Sequence, residues 1–381
     1  MKRILAFLTA FVLLISLTAC SRSEQESWYD EEGITITQKQ VEKIINKRFK
    51  TPKNVILIIG DGMGSNDIAL AEAYHSEVYD FGLVLNQIKH HGLATTHSAN
   101  ATITDSAASG TALSTGVKTK NGYVGKDAEG NDIKTMAEIA REAGKKVGII
   151  TDEDIAGATP SAFVAHNLTR NAIRDLTNDI IKFKPDVLMA KDYTACRVRL
   201  DDEAEVIFKE EYALAEDFIY FKQALAADPD CEKPFLGFLN GYSSVASDNL
   251  AQCAQVAFHR LKNDNGFFLM IESSGTDKYG HSCEMEGKLS SVVTLDRTVA
   301  AALKFMEKNP DTLLIVTSDH ETGGVRMPEE GEELDGLFTS TGHTAEPVRV
   351  FAVGKGSEFF ADKTVDNVEI ADFIIRTIKG E

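Results

Sequence analysis

Cysteine is scarce in this chain, with five in 381 residues. No Cys-x-x-Cys pair occurs, which excludes a zinc site built on cysteine. Positive charge is also in short supply: 40 Lys and Arg against 58 Asp and Glu leave a net charge of −18. That balance excludes nucleic acid or another polyanion as partner. An anionic ligand would have to be drawn in by local cations, because the overall field repels it. Beyond the first twenty residues no apolar run is long enough to span a bilayer, and no repeat or low-complexity tract interrupts the chain. What remains is 43% hydrophobic and 26% charged, the composition of a soluble globular protein. The length suits one large α/β domain or two small ones.

The N-terminus stands apart from the fold. Basic Met1-Lys2-Arg3 precedes an apolar stretch, Ile4 to Leu17, that is too short for a comfortable span. It ends in Leu17-Thr18-Ala19-Cys20, which resembles the lipobox of bacterial lipoproteins. Residues 1–19 then read as a signal peptide and Cys20 as the site of lipidation, with two or more acyl chains giving a stable anchor. Residues 20–50 read as an acidic tether, Ser21 to Glu32, followed by an amphipathic helix from Val41 to Phe49. The expected location is extracytoplasmic, lipid-anchored to a bacterial membrane and facing the periplasm or the cell surface. In an oxidising compartment Cys196, Cys231, Cys253 and Cys283 could form up to two disulfides, with all pairings open.

Apolar, β-branched runs predict strands at Val55–Ile59, Gly92–His97, Lys146–Thr151, Phe267–Glu272, Thr312–Ser318 and Val348–Val353. Helical patterns fall at Ser65–Tyr74, Ser106–Leu113, Met136–Gly144, Leu289–Lys308 and Val368–Ile378. Alternating strands and helices predict an α/β fold, a doubly wound, mainly parallel central sheet with helices on both faces. Residues 51–381 read as a single catalytic domain, with a variable insertion around 174–264 that shapes the rim of the site.

Chemistry-bearing residues follow the strands. Asp61 lies in Gly60-Asp61-Gly62-Met63-Gly64, just past the first strand, and Thr159-Pro160 follows the Lys146 strand. Glu272 ends the Phe267 strand, and Asp319-His320 follows the Thr312 strand. In open α/β sheets this is the edge where ligands bind. Asp277 and His281 are four apart, so a helical turn places both on one face. Ser106, in Thr104-Asp105-Ser106-Ala107-Ala108, offers a hydroxyl, although Thr-Asp-Ser also suits a helix N-cap. A hydroxyl beside scattered Asp, Glu and His points to a metallohydrolase with a serine nucleophile.

Taken together with Ala158-Thr159-Pro160 and Gly342-His343-Thr344, these motifs make residues 52–381 resemble the bacterial alkaline phosphatases, of the metal-dependent superfamily with this core. The resemblance implies phosphate monoester hydrolysis through a phosphoserine on Ser106. Asp277, His281 and His343 resemble the ligands of a first zinc ion, and Asp61, Asp319 and His320 those of a second. Asp61, Thr159 and Glu272 resemble a magnesium site of hard oxygens. Arg170 matches the arginine that grips two phosphate oxygens, and Lys278 a lysine that approaches phosphate through water. His166, four residues before Arg170, reads as structural. Dimers are common in the family, and the sequence leaves the oligomeric state of this chain open.

One departure is clear. Where many relatives carry Asp or His two residues before the Thr of Ala-Thr-Pro, this chain has Gly157, so a partner of the magnesium waters is missing. Two other functions compete. A phosphodiesterase, phosphonate hydrolase or mutase of the same superfamily would share the core, but Ser106 in its context and Arg170 favour monoesters. A non-catalytic, lipid-anchored binder of phosphate or metal would have no need of a nucleophile between ion sites.

Overall fold

The structure, a computed structural model, describes residues 36–79, 82–215, 232–239 and 249–381. The signal segment, Cys20, the acidic tether and Cys231 lie outside these residues. Among them twelve strands form: β1 (Asn54–Gly60), β2 (His90–Thr95), β3 (Lys146–Asp154), β4 (Val187–Lys191), β5 (Ala213–Ala215), β6 (Phe235–Phe238), β7 (Phe267–Ser273), β8 (Thr312–Thr317), β9 (Glu321–Thr322), β10 (His343–Thr344), β11 (Val348–Val353) and β12 (Thr364–Asp366). Ten of them make one sheet in the order β12-β2-β11-β8-β1-β7-β3-β4-β6-β5, and β9 pairs with β10 in a small ribbon. Within the ten-stranded sheet only β11 runs against its neighbours, and β1 is parallel to both β7 and β8.

The period-2 geometry of a strand splits each apolar run between two layers. Ile56, Ile58, Leu314 and Val316 face one core, while Val55, Leu57, Ile59, Leu313 and Ile315 face the other. With both faces covered, β1, β7 and β8 are buried along their whole length, as parallel strands between helical layers must be. Twelve helices are described: α1 (Gln38–Ile45), α2 (Ser65–Tyr79), α3 (Ser106–Thr115), α4 (Met136–Glu142), α5 (Ala158–Val164), α6 (Ile173–Phe183), α7 (Tyr193–Arg199), α8 (Asp202–Val206), α9 (Asn249–Arg260), α10 (Gly275–Ser282), α11 (Met285–Lys308) and α12 (Asn367–Lys379). α9 and α11 bury their apolar faces in the first core, α3 to α6 and α12 in the second. None of the described helices is long and apolar enough to cross a membrane.

Three expectations change. The stretch 174–264 does more than shape a rim, because β4, β5 and β6 extend the central sheet at one edge. Their brevity and the acidic segments between them hid them from pattern reading. The N-terminal helix ends at Ile45, where Asn46 closes it, and does not reach Phe49. Cys196, Cys253 and Cys283 are free thiols, so the disulfides that the sequence left possible do not form among these three. Burial pushes the Cys196 thiol up to about 12 and the Cys253 thiol higher still, which leaves both unreactive.

Candidate active site

The C-terminal ends of β1, β7 and β8 meet at the middle of the sheet, where connections leave in opposite directions. The Gly60–Gly64 turn carries Asp61 out of β1, fixed by its N–H to Ser273 O at 2.9 Å. Gly62 sits at φ 71° and comes so close to α10 that a Cβ would stand 2.6 Å from Asp277 Cα. Both conditions require glycine.

Ser106 is the first residue of α3 and is buried. The cap is Asp105, whose carboxylate accepts from Ala108 N at 3.0 Å and from Gly122 N at 3.1 Å. Ser106 is therefore not needed as the cap, and its Oγ lies 3.1 Å from His320 Nε2, at the positive end of the helix. Asp105 also meets Arg170 Nη1 at 3.3 Å, which ties the guanidinium to the residue that precedes the serine. Arg170 sits in the turn between α5 and α6, its N–H bonded to Gly122 O at 2.7 Å.

Around His320 Nε2 converge Ser106 Oγ, Asp319 Oδ2 at 3.2 Å and Asp61 Oδ1 at 3.6 Å. His320 Nδ1 faces Thr322 Oγ1 at 3.2 Å. A Ser-His-Asp relay needs its carboxylate on the nitrogen opposite the serine; here carboxylates and serine share one nitrogen. Such convergence of oxygen and nitrogen lone pairs suits a cation. Asp319 Oδ1 accepts from Gly62 N and His320 N, while Asp319 Oδ2 and Asp61 Oδ1 are buried with no hydrogen-bond donor. Burial raises Asp319 to about 7 and lifts Asp61 well above the carboxylate range, with neighbouring Asp319 and Asp277 adding to it. Burial and the adjacent His343 hold the His320 imidazole well below its ordinary value, so it is neutral.

A second group lies beside the first. Asp277 and His281 share a face of α10, with Oδ1 and Nε2 3.3 Å apart. The β9–β10 ribbon carries His343 over them, its Nε2 3.4 Å from Asp277 Oδ1 and its ring stacked on His320 at 3.6 Å. His281 Nδ1 bonds Thr341 O at 2.6 Å and His343 Nδ1 bonds Thr104 O at 2.9 Å. Those carbonyls accept only, so Nδ1 carries a proton in both rings and Nε2 faces the carboxylate. That arrangement repels unless a proton or a cation stands between. The ligand atoms of Asp277, His281 and His343 lie within 4.8 Å of one another, as do those of Asp61, Asp277 and His320. Against the pull of burial, hydrogen bonds shared with His343 and Thr322 keep Asp277 below its ordinary value.

Glu272 and Thr159 are both fully buried. Glu272 Oε2 accepts from Thr151 Oγ1, but Glu272 Oε1 and Thr159 Oγ1 have no hydrogen-bond partner. Burial, reinforced by the charge of Glu153, drives Glu272 well above the carboxylate range. An unpaired buried carboxylate is costly, and these oxygens suit a hard divalent cation. Lys278, on α10, reaches Ser274 Oγ at 2.7 Å and Glu153 Oε2 at 3.1 Å. His166 lies apart from the site, bonded to Gly125 O and Glu138.

Sequence reasoning missed four residues here. Thr322 donates to Asp277 Oδ1 at 2.6 Å. Glu321 accepts from Gly324 N and Thr344 Oγ1, closing the ribbon under His343. Lys288, from α11, lies buried beneath the Gly60–Gly64 turn against Asp67. The one available signal was a lysine on the apolar stripe of α11, between Met285 and Leu289. Glu153, at the end of β3, had none.

The alkaline phosphatase family model matches residues 52–207 and 240–337. Alkaline phosphatase 4 of Bacillus subtilis (strain 168) is 33% identical over 353 residues, covering 85% of this chain and 71% of that protein. The alkaline phosphatase of the Antarctic bacterium TAB5 has the same fold, with TM-score 0.75 and 30% identity over 87% of this chain and 99% of that one. A mutant of the TAB5 enzyme, solved with magnesium bound in its M3 site, matches at TM-score 0.74 and 30% identity.

Proposed function

This chain belongs to the alkaline phosphatase family and hydrolyses phosphate monoesters, and from that premise we propose that it does so through a phosphoserine on Ser106, with two zinc ions and one magnesium ion. Asp277, His281 and His343 would hold one zinc; Asp61, Asp319 and His320 the other; Asp61, Thr159 and Glu272 the magnesium. When bound, these ions supply the positive charge that acidifies a hydroxyl, draws in the phosphate of an acidic protein's substrate and steadies the leaving oxygen.

The remaining work falls to the protein's own groups. Ser106 Oγ forms a bond to phosphorus as the ester P–O bond breaks, and the leaving oxygen takes up a proton. Water then cleaves the P–Oγ bond, releasing inorganic phosphate and restoring the hydroxyl. Arg170, tied to Asp105, the residue that precedes Ser106, grips two phosphate oxygens in a bidentate fork. With two oxygens in that fork, a doubly charged monoester still has a third terminal oxygen free and a singly charged diester has none, which favours monoesters. Lys278 approaches the phosphate through water.

The observation that carries this reading is the convergence on His320 Nε2 of Ser106 Oγ at 3.1 Å and two carboxylate oxygens at 3.2 and 3.6 Å. Acid quenching during turnover of an aryl monoester should leave phosphate on the Ser106 peptide, read by mass spectrometry. Full turnover by a metal-loaded Ser106→Ala chain would sink the assignment, and a faster reaction on the matching diester would sink the substrate class.

We further propose that the chain is an extracytoplasmic lipoprotein anchored through Cys20 to a bacterial membrane, on the strength of Leu17-Thr18-Ala19-Cys20. Mass spectrometry of the mature N-terminus tests this: an acylated Cys20 supports it, and an unprocessed Met1 overturns it.

A further inference from the structure

Gly157 has a backbone that does not ask for glycine. Its φ of −52° and ψ of 156° suit any residue. It is also the N-cap of α5, a position where Asp, Asn, Ser or Thr would bond a free N–H, and no side chain does so here. Space accounts for the choice. A Cβ at 157 would overlap Glu153 Oε1 and stand 2.8 Å from Glu153 Cδ and 3.1 Å from Asp154 O. The Glu153 side chain thus fills the volume that a residue at 157 would claim.

From there Glu153 reaches the centre in three ways. Its Oε2 is 3.1 Å from Lys278 Nζ. Its N–H donates at 3.2 Å to Thr151 Oγ1, the hydroxyl that bonds Glu272. Its charge is the strongest of the neighbouring charges on Glu272 and is also felt by Asp61. Lys278 offsets only one of the three negative charges that Glu153, Glu272 and Asp61 would carry, and a bound cation would offset the rest.

We propose that Glu153 is the outer carboxylate of the hard-cation site, a positioning residue that holds Lys278 and adds negative charge beside Asp61, Thr159 and Glu272 from the space Gly157 vacates. The partner absent at 157 has been moved to 153, and the two positions are coupled. The inference rests on reading Asp61, Thr159 and Glu272 as a magnesium site.

The test is magnesium titration of the zinc-loaded full chain by calorimetry, with melting of the metal-free chain as the control on folding. Glu153→Gln should weaken magnesium binding by about 10- to 100-fold and leave metal-free melting unchanged. Gly157→Ala should weaken it too, because the new Cβ displaces the flexible end of Glu153 at little cost to the fold. Glu153→Ala combined with Gly157→Asp returns a carboxylate to the same space and should recover most of the affinity. Wild-type magnesium binding in Glu153→Gln would overturn this inference alone. So would a double variant no better than Glu153→Ala. A wild-type chain that takes up no magnesium would overturn the hard-cation reading and this inference with it.

Discussion

Lys288 Nζ stands 2.8 Å from Asp67 Oδ2, and neither side chain reaches solvent. The ammonium has three donors, and the other two go to Gly62 O at 3.1 Å and Thr276 O at 3.2 Å. Gly62 follows Asp61 and Thr276 precedes Asp277. One buried cation thus ties together the two turns that present these carboxylates.

Replacing Lys288 with Met should destabilise the chain by about 3–5 kcal/mol, the cost of leaving a buried charge without its partner. Adding Asp67→Leu should recover much of that stability, because no uncompensated charge remains. Denaturant melts of the single and double variants in chelator measure both. A single variant within about 1 kcal/mol of wild type would show the pair to be idle.

Asp67 supplies a pH signature. Burial, opposed by Lys288, raises its folded value to about 6 from an ordinary 3.8. The folded state therefore holds the proton more tightly than the unfolded chain. The stability from this difference is fully present below pH 3.8 and is lost as pH rises to 6. At about 1.36 kcal/mol per unit, the loss is on the order of 3 kcal/mol. Metal-free wild type should lose that much relative to Asp67→Asn across this window. A flat difference between the two would refute the assignment.

Thr322 links both imidazole–carboxylate groups, donating to Asp277 Oδ1 and facing His320 Nδ1. Thr322→Val keeps the shape and removes both bonds. Zinc affinity should fall by about 10- to 100-fold, read by competition with a chromogenic chelator. An unchanged affinity would mean that the ligands orient themselves.

Arg170→Ala should raise KM for monoesters and relax inhibition by inorganic phosphate by about 10- to 100-fold, the range expected for a charge-assisted hydrogen bond of roughly 1.5–3 kcal/mol. Zinc content should stay at the wild-type level. Unaltered phosphate inhibition would remove Arg170 from the phosphate site.

The sheet was legible where its strands are long and β-branched. Val55–Ile59 and Phe267–Glu272 declare themselves as buried strands, and each ends in a carboxylate whose position follows from the end of the run. β5 and β6 were not legible, because three or four residues carry no period to read. The Ser106 region could be read as a helix start but not as a choice between cap and nucleophile. Asp105 takes the cap, and only coordinates reveal which oxygen bonds which N–H.

The sequence by itself determined the layered α/β order and the set of oxygens and nitrogens delivered to one sheet edge, because hydrophobic period and strand ends are local properties of the chain. Tertiary structure alone decided which nitrogen of each histidine faces inward, since Thr104, Thr341 and Thr322 hold the other. It also decided that Lys288 would be sealed under Asp61 and Asp277, and that Glu153 would fill the room left by Gly157. These are contacts between residues that are distant in the chain or back to back across a turn, and no local pattern encodes which side chain will occupy a shared volume.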